Sequence, residues 1–249
     1  MSDSLKSILF AFVLCVVCSL LLTAAATGLA RFQQQNILID KQANVLKSVG
    51  LINDRKTLAP EAVTRFYNQN IKRLWVNADG DINWSRSHGE TDLPIYLHVV
   101  DEQIESYIIP INSRGLWGKI LGYLAIEKDG ATVKGFTVYS HQETPGLGGE
   151  IEKAWFQKNF MGKKIIDQDS EFVSIFIAKG AVANPGATGQ LTNTVDGISG
   201  ASLTGKFLTE GLMRNLAEYE PVSIRFRKNQ IRRIPEKKPG DGQGQWGGS

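Results

Sequence analysis

Asp196-Gly197-Ile198-Ser199-Gly200-Ala201-Ser202 stands directly before a strongly periodic helical stretch. Residues of these types in this order can hold a phosphate. Glycines at 197 and 200 let the backbone turn tightly and expose N–H groups. Ser199 is placed to act as the helix N-cap. The helix start adds unpaired N–H donors and the positive end of the helix dipole. Ser202 and Thr204 bring hydroxyls into the first turn. The same order also begins ordinary helices, and neither G-x-x-x-x-G-K-[ST] nor G-x-G-x-x-G is present. A second stretch runs His141-Gln142-Glu143-Thr144-Pro145-Gly146-Leu147-Gly148-Gly149-Glu150. Pro145-Gly146 sets a turn, and Gly148-Gly149 allow a flat ligand to approach the backbone. Standing alone, it reads rather as an ordinary turn between a strand and a helix.

Other chemistry is excluded by what is missing. Both cysteines, Cys15 and Cys18, lie in one apolar run, so the chain after them carries no disulfide framework, Cys-ligated metal or catalytic thiol. Three widely spaced histidines, His88, His98 and His141, argue against a His-rich metal site. His98 is expected to face its sheet neighbours, and His141 either to touch a ligand or to end a strand. Asn77, Asp79, Asp81 and Asn83 alternate around Gly80 like a calcium loop, but His88 stands where the closing Glu is needed. A plain turn between Val76 and Ile82 is the expectation, and no metal site is assigned.

The elements that must position these residues follow from periodicity. Ser7–Ala30 is an uncharged apolar run between Lys6 and Arg31. As a helix rising about 1.5 Å per residue it crosses a hydrocarbon core of roughly 30 Å. A cleaved signal peptide with Ala24-Ala25-Ala26 as its site is the alternative; the run is longer than the usual apolar region of such a peptide. Charge leaves the orientation poorly determined: Lys6 and the amino group lie on one side and Arg31, Lys41 and Lys47 on the other, so the positive-inside rule gives no support for exporting the C-terminal part. Cys15 and Cys18, though spaced C-x-x-C, read as small residues facing lipid or a partner helix. Ile37–Leu51 reads as an amphipathic connector, and Pro60 starts a helix. Strands are predicted at Pro94–Val100, Glu105–Ile109, Leu121–Glu127 and Val133–Ser140, with Asp129-Gly130 turning the last hairpin. A helix over Ile151–Phe160, a strand over Phe172–Ala178, a helix over Ala201–Tyr219 and a final strand through Val222, Ile224 and Phe226 follow.

This pattern predicts an α+β fold with a largely antiparallel sheet flanked by helices, preceded by one N-terminal transmembrane helix. Its segments are 1–6, the anchor 7–30, a connector 31–58, the main domain 59–228 and a tail 229–249. With 42% hydrophobic and 21% charged residues, the composition is that of a folded chain. The net charge of +3 is local: Arg225–Lys238 holds seven basic residues and one acid, leaving the remainder at −3. Nucleic-acid binding by that segment is set aside in favour of a solvated strand face and a flexible polar end after Pro239. Contact with anionic lipid or an acidic partner subunit stands between these readings.

At its two glycine-containing stretches the chain resembles the FMN-binding domain in which flavin is joined through its phosphate to a Thr or Ser hydroxyl. The matching residues are Asp196–Ser202 for D-G-x-[ST]-G-A-[ST] and Glu143–Gly148 for E-T-P-G-L-G. Arg114-Gly115-Leu116-Trp117-Gly118, Leu121–Ala125, Leu93–Tyr96 and the single N-terminal span are similar to the C subunits of the Na+-translocating NADH:quinone oxidoreductases, over about residues 1–228. The Arg-Gly-Leu-Trp-Gly segment favours these over the related G subunits of Rnf-type complexes. The resemblance implies covalent FMN on Ser202, where the family usually has Thr, with Thr204 as a nearby substitute. It implies that Asp196, Gly200 and Ala201 are recognised by an FMN transferase using FAD, and that Glu143, Thr144, Leu147 and Gly148 line the flavin. Trp117 is either a ring neighbour or a core aromatic. It further implies an electron relay within a six-subunit membrane complex of the bacterial inner membrane, with the domain facing the periplasm and catalysis incomplete without the other subunits. Another membrane-anchored flavoprotein, or a non-redox assembly module, are the alternatives.

Overall fold

The computed structural model describes residues 2–53, 58–86, 91–181 and 192–237. Residues up to Lys41 form one unit, and Gln42 onward form a second. Helix α1 (Asp3–Ser48) is long and apolar enough to cross a membrane. It is unbroken, so the stretch read as an amphipathic connector is helical as far as Ser48. Gln42, Asn44, Val45, Leu46 and Ser48 are its buried residues. It stops at Gly50, whose φ of +77° suits a residue without Cβ. Gly50 N–H donates to Lys47 O and Leu51 N–H to Leu46 O, the paired bonds of a Schellman end.

α2 (Pro60–Asn70) begins on the proline, which has no N–H to leave unpaired. Then come β1 (Ile71–Val76), β2 (Ile82–Asn83), β3 (Leu93–Val100), β4 (Gln103–Arg114), β5 (Lys119–Glu127) and β6 (Val133–Ser140). They form one antiparallel sheet in the order β2-β1-β3-β4-β5-β6. The expected β6 hairpin turns at Asp129-Gly130, with Gly130 at φ +69° and Asp129 Oδ1 accepting from Ala131 and Thr132 N–H. The acidic alternation after Val76 is the expected turn. Asn77 Oδ1 accepts from Asp79 and Asp81 N–H, so it stabilises its own loop.

Both faces of the sheet are covered, which explains the nearly continuous apolar runs in β4 and β5. Tyr107, Ile109, Ile111, Leu124 and Ile126 join the larger core on one face. Val45, Leu46, Val63, Tyr67, Tyr96 and Tyr123 are buried outside that cluster. Thr137 Oγ1 donates to Asn44 O, tying the end of α1 to β6.

The larger core is closed by the last helix, α4 (Ser202–Arg227), which packs on β4. Its pattern predicted an end near Tyr219 and a strand through Val222 and Phe226. Instead the helix continues through Pro221 for 26 residues. Val222 and Phe226 are four apart and both buried, and the Phe226 ring stacks on Tyr107 at 4.5 Å. This packing outweighs the lost backbone bond at the proline.

Between β6 and α4 the chain is less regular. The helix expected over Ile151–Phe160 is a 3-10 turn at Gly148–Glu152 and a short α3 (Ala154–Lys158). The expected strand over Phe172–Ala178 shrinks to β7 (Phe176–Ile177), paired in parallel with β8 (Thr194–Val195). The reason is local: Val173 and Ser174 N–H both donate to Ile165 O, and Ser174 sits at φ +70°. After α4, the basic segment is not a solvated strand face. Arg232 O accepts from Ile104 N–H, Gln103 bridges Arg233, and Trp84 Nε1 donates to Pro235 O. The polar end expected to be flexible after Pro239 lies outside the described residues.

Candidate functional site

Three segments far apart in sequence meet at the start of α4. The first is Arg114–Gly118, which is the β4–β5 hairpin turn: Gly115 N–H donates to Gly118 O at 2.6 Å. Leu116 and Trp117 sit at its tip. Trp117 is 66% exposed, which removes its alternative as a core aromatic. The glycines leave room for the second segment, since a Cβ on Gly115 would lie 2.5 Å from Glu143 Oε1.

The second segment leaves β6 at His141. Glu143 is 4% exposed, and its two oxygens face different elements. Oε1 accepts from Trp117 N–H at 3.0 Å. Oε2 accepts from Thr204 Oγ1 at 2.5 Å. His141 supports this placement: its Nδ1 accepts from Glu143 N–H at 3.1 Å, and its Nε2 lies 3.2 Å from Glu152 Oε2. Thr144 O accepts from Leu147 and Gly149 N–H, which curls the turn and leaves the Thr144 and Leu147 side chains exposed. Gly148 is buried, and a Cβ there would lie 2.6 Å from Thr204 Oγ1. Glu143 therefore joins the hairpin, the turn after β6 and the first turn of α4 through its two oxygens.

The third segment is the helix start. Ser199 is exposed and does not cap α4. The N-cap is Ala201, with no side-chain bond to the first turn. Gly200 at φ +74° redirects the chain between Ser199 and the helix, placing the serine outside capping reach. A Cβ on Gly200 would lie 2.9 Å from Leu147 Cδ2, so the missing side chain lets the second and third segments close together. Ser202 is exposed in the first turn. Thr204, at 2% exposure, is buried with its hydroxyl given to Glu143. Asp196 follows β8 and is half-buried.

The first turn of α4 thus offers N–H groups without a side-chain cap, the positive end of a long helix and one exposed hydroxyl. Exposed Trp117 and Leu147 supply flat and apolar surface beside it. These residues fit a flavin with its phosphate at the helix start. Sequence reasoning missed two things here: the hairpin formed by the Gly115–Gly118 spacing, and the cleft beside it. That cleft, of about 510 Å³, is lined by Asn112–Lys119 together with Arg214 of α4. The glycines three apart were the available signal for the hairpin; nothing local signalled Arg214.

The FMN-binding domain family matches residues 115–217, which contain all three segments apart from Arg114. Over 234 residues the chain is 36% identical to the C subunit of the Na(+)-translocating NADH-quinone reductase of Yersinia pestis, covering 82% of this chain and 85% of that protein. The corresponding protein of Vibrio anguillarum is 31% identical over 229 residues, with 82% and 87% covered. The crystal structure of the C subunit from Parabacteroides distasonis superposes with a TM-score of 0.64 at 31% identity, covering 78% of this chain and 96% of that one. With fold, loop arrangement and relatives in agreement, this FMN-binding chain belongs to the family of C subunits of the Na+-translocating NADH-quinone reductase.

Proposed function

We propose that this chain carries FMN joined by a phosphoester bond to Ser202 Oγ and relays electrons within a Na+-translocating NADH:quinone oxidoreductase. The observation that carries the assignment is the contrast between two hydroxyls in one helical turn. Ser202 is exposed at the uncapped helix start, whereas Thr204 is buried and bonded to Glu143. Bound FMN supplies one-electron carriage, which this chain's own side chains cannot. The chain's residues position it. The first-turn N–H groups and helix dipole hold the phosphate. Leu147 and Trp117 exclude water from the ring, and Glu143 keeps their two loops against the helix.

An FMN transferase using FAD recognises Asp196, Gly200 and Ala201 around the acceptor. Residues 7–30 anchor the chain in the inner membrane, the main domain faces the periplasm, and the other five subunits complete the activity. The test is the intact mass of the full chain co-expressed with an FMN transferase. The expected result is a gain of one FMN less water, placed on Ser202 by fragmenting the peptide Leu191–Lys206. Modification of Thr204 or Ser199, or an unmodified chain, overturns the assignment.

A further inference from the structure

The cleft beside the flavin loops holds Arg114, Lys119 and Arg214 and, among the described residues, no carboxylate along its lining. Arg114 lies over the Phe207 ring at 4.9 Å, and Arg214 donates to Asn112 O at 2.7 Å, so both guanidinium groups are held by the fold. Among the described residues, none of the three is ion-paired with a carboxylate. This is a concentration of uncompensated positive charge in a chain whose residues outside Arg225–Lys238 sum to −3. Its edge is apolar: Leu116 and Trp117, both exposed, form the hairpin tip. An exposed tryptophan beside fixed arginines is the composition of an interface centre, not of ordinary solvated surface.

Resting on the flavin assignment above, we infer that this cleft is the docking surface for an acidic face of the protein that exchanges electrons with this domain. Charge complementarity selects the occupant. Guanidinium forks bind carboxylates with two parallel bonds, and a concave site suits protruding Asp and Glu side chains better than a flat surface. Position supplies the second reason. Trp117 belongs both to the cleft and, through Glu143, to the loops that meet Thr204. The Trp117 end of the cleft therefore adjoins the start of α4, while Arg214 lies about 18 Å further along that helix, so a partner seated in the cleft reaches toward the flavin from one side.

The test uses the assembled membrane complex with Lys119→Glu and Arg214→Glu, alongside Lys119→Gln and Arg214→Gln. Flavin on this subunit is read by fluorescence in a denaturing gel, and quinone reduction is read at fixed sodium while KCl is raised from about 20 to about 300 mM. The expected result is unchanged covalent flavin and an unchanged set of subunits, with the Glu variants lowering turnover about tenfold and the Gln variants less. Wild-type turnover falls with KCl, and the Glu variants lose that dependence. Unchanged turnover and salt dependence in flavin-loaded Glu variants overturn the docking surface. Absence of flavin from the wild-type subunit instead overturns the assignment on which it rests. Reconstitution separates lipid from protein: if the effects appear in vesicles containing phosphatidylglycerol and vanish in pure phosphatidylcholine, the cleft meets headgroups and the inference fails.

Discussion

Thr204 Oγ1 donates to Glu143 Oε2 at 2.5 Å across 61 positions of sequence. The other oxygen of the same carboxylate holds Trp117 N–H. One buried side chain thereby joins the β4–β5 hairpin, the turn after β6 and the first turn of α4.

Glu143→Ala leaves a buried hydroxyl and a backbone N–H without partners. The buried Thr204 hydroxyl alone costs about 1–3 kcal/mol when orphaned, whereas water can reach the Trp117 N–H, so urea unfolding should show a loss of about 1 kcal/mol or more. Glu143→Gln should lose much less, because its carbonyl still accepts from Trp117 N–H while its amide donates to the threonine. Equal stabilities for Ala and wild type would exclude the tie.

Ser202→Ala should abolish covalent flavin while changing stability by less than about 0.5 kcal/mol, as expected for an exposed first-turn serine. Ser202→Thr should retain the flavin, since it keeps an alcohol at the same position. Thr204→Ala should retain the flavin yet destabilise the fold by about 1–2 kcal/mol, because Glu143 loses its partner. In-gel fluorescence and denaturant titration read the two effects separately.

Gly200→Ala combines a strained φ with a clash against Leu147. The backbone strain alone is about 1–2 kcal/mol. Flavin incorporation by the transferase should slow, and adding Leu147→Ala should relieve the clash but not the strain. A double variant that incorporates flavin as fast as wild type would show that only the contact matters.

Leu147→Ala and Trp117→Phe should each alter the absorption spectrum or potential of bound flavin. Two unchanged spectra and potentials would move the ring away from this pair.

His98 is buried on the sheet, with Nδ1 3.5 Å from Ser106 Oγ and Nε2 without a hydrogen-bond partner among the described residues. Burial foremost, then the Lys134 charge, pushes its imidazole below the usual 6.5, with Glu105 opposing. The unfolded chain therefore binds this proton more readily than the native one. Stability from this group is complete above about pH 6.5 and falls as pH drops below it. Thermal unfolding of the detergent-solubilised chain should show a fall in Tm between about pH 7.5 and about pH 5.5 that is smaller in His98→Gln. Glu105, paired with Lys128, and Glu152, paired with Lys153, are held below 4.5 and act only in more acid solution. A slope that the substitution leaves intact would assign the effect to other groups.

The local signals were enough for what local physics controls. Asp129-Gly130 and Asn77–Asp81 turn the chain through their own backbone conformation and side-chain bonds, so their hairpins are legible without the rest of the fold. Pro60 starts α2 for the same reason, and the uncharged Ser7–Ala30 run declares its length and polarity directly. The motif residues Glu143, Leu147, Gly148, Gly200 and Ser202 were also visible as a set through their resemblance to flavin domains.

Their relationships were not visible. Ser199 looked like a cap until the φ of Gly200 turned it away, and no local signal announced that the two oxygens of Glu143 hold Trp117 N–H and the Thr204 hydroxyl. Val222 and Phe226 alternate like a strand, but Tyr107 and the sheet reward their helical spacing, so α4 runs through Pro221. The basic segment after Lys228 carries no local signal for docking; Trp84 and Ile104 bind its backbone from more than a hundred residues away. In each case the deciding energy comes from a non-local contact, which sequence spacing cannot encode and which exists only once the sheet has brought its strands together.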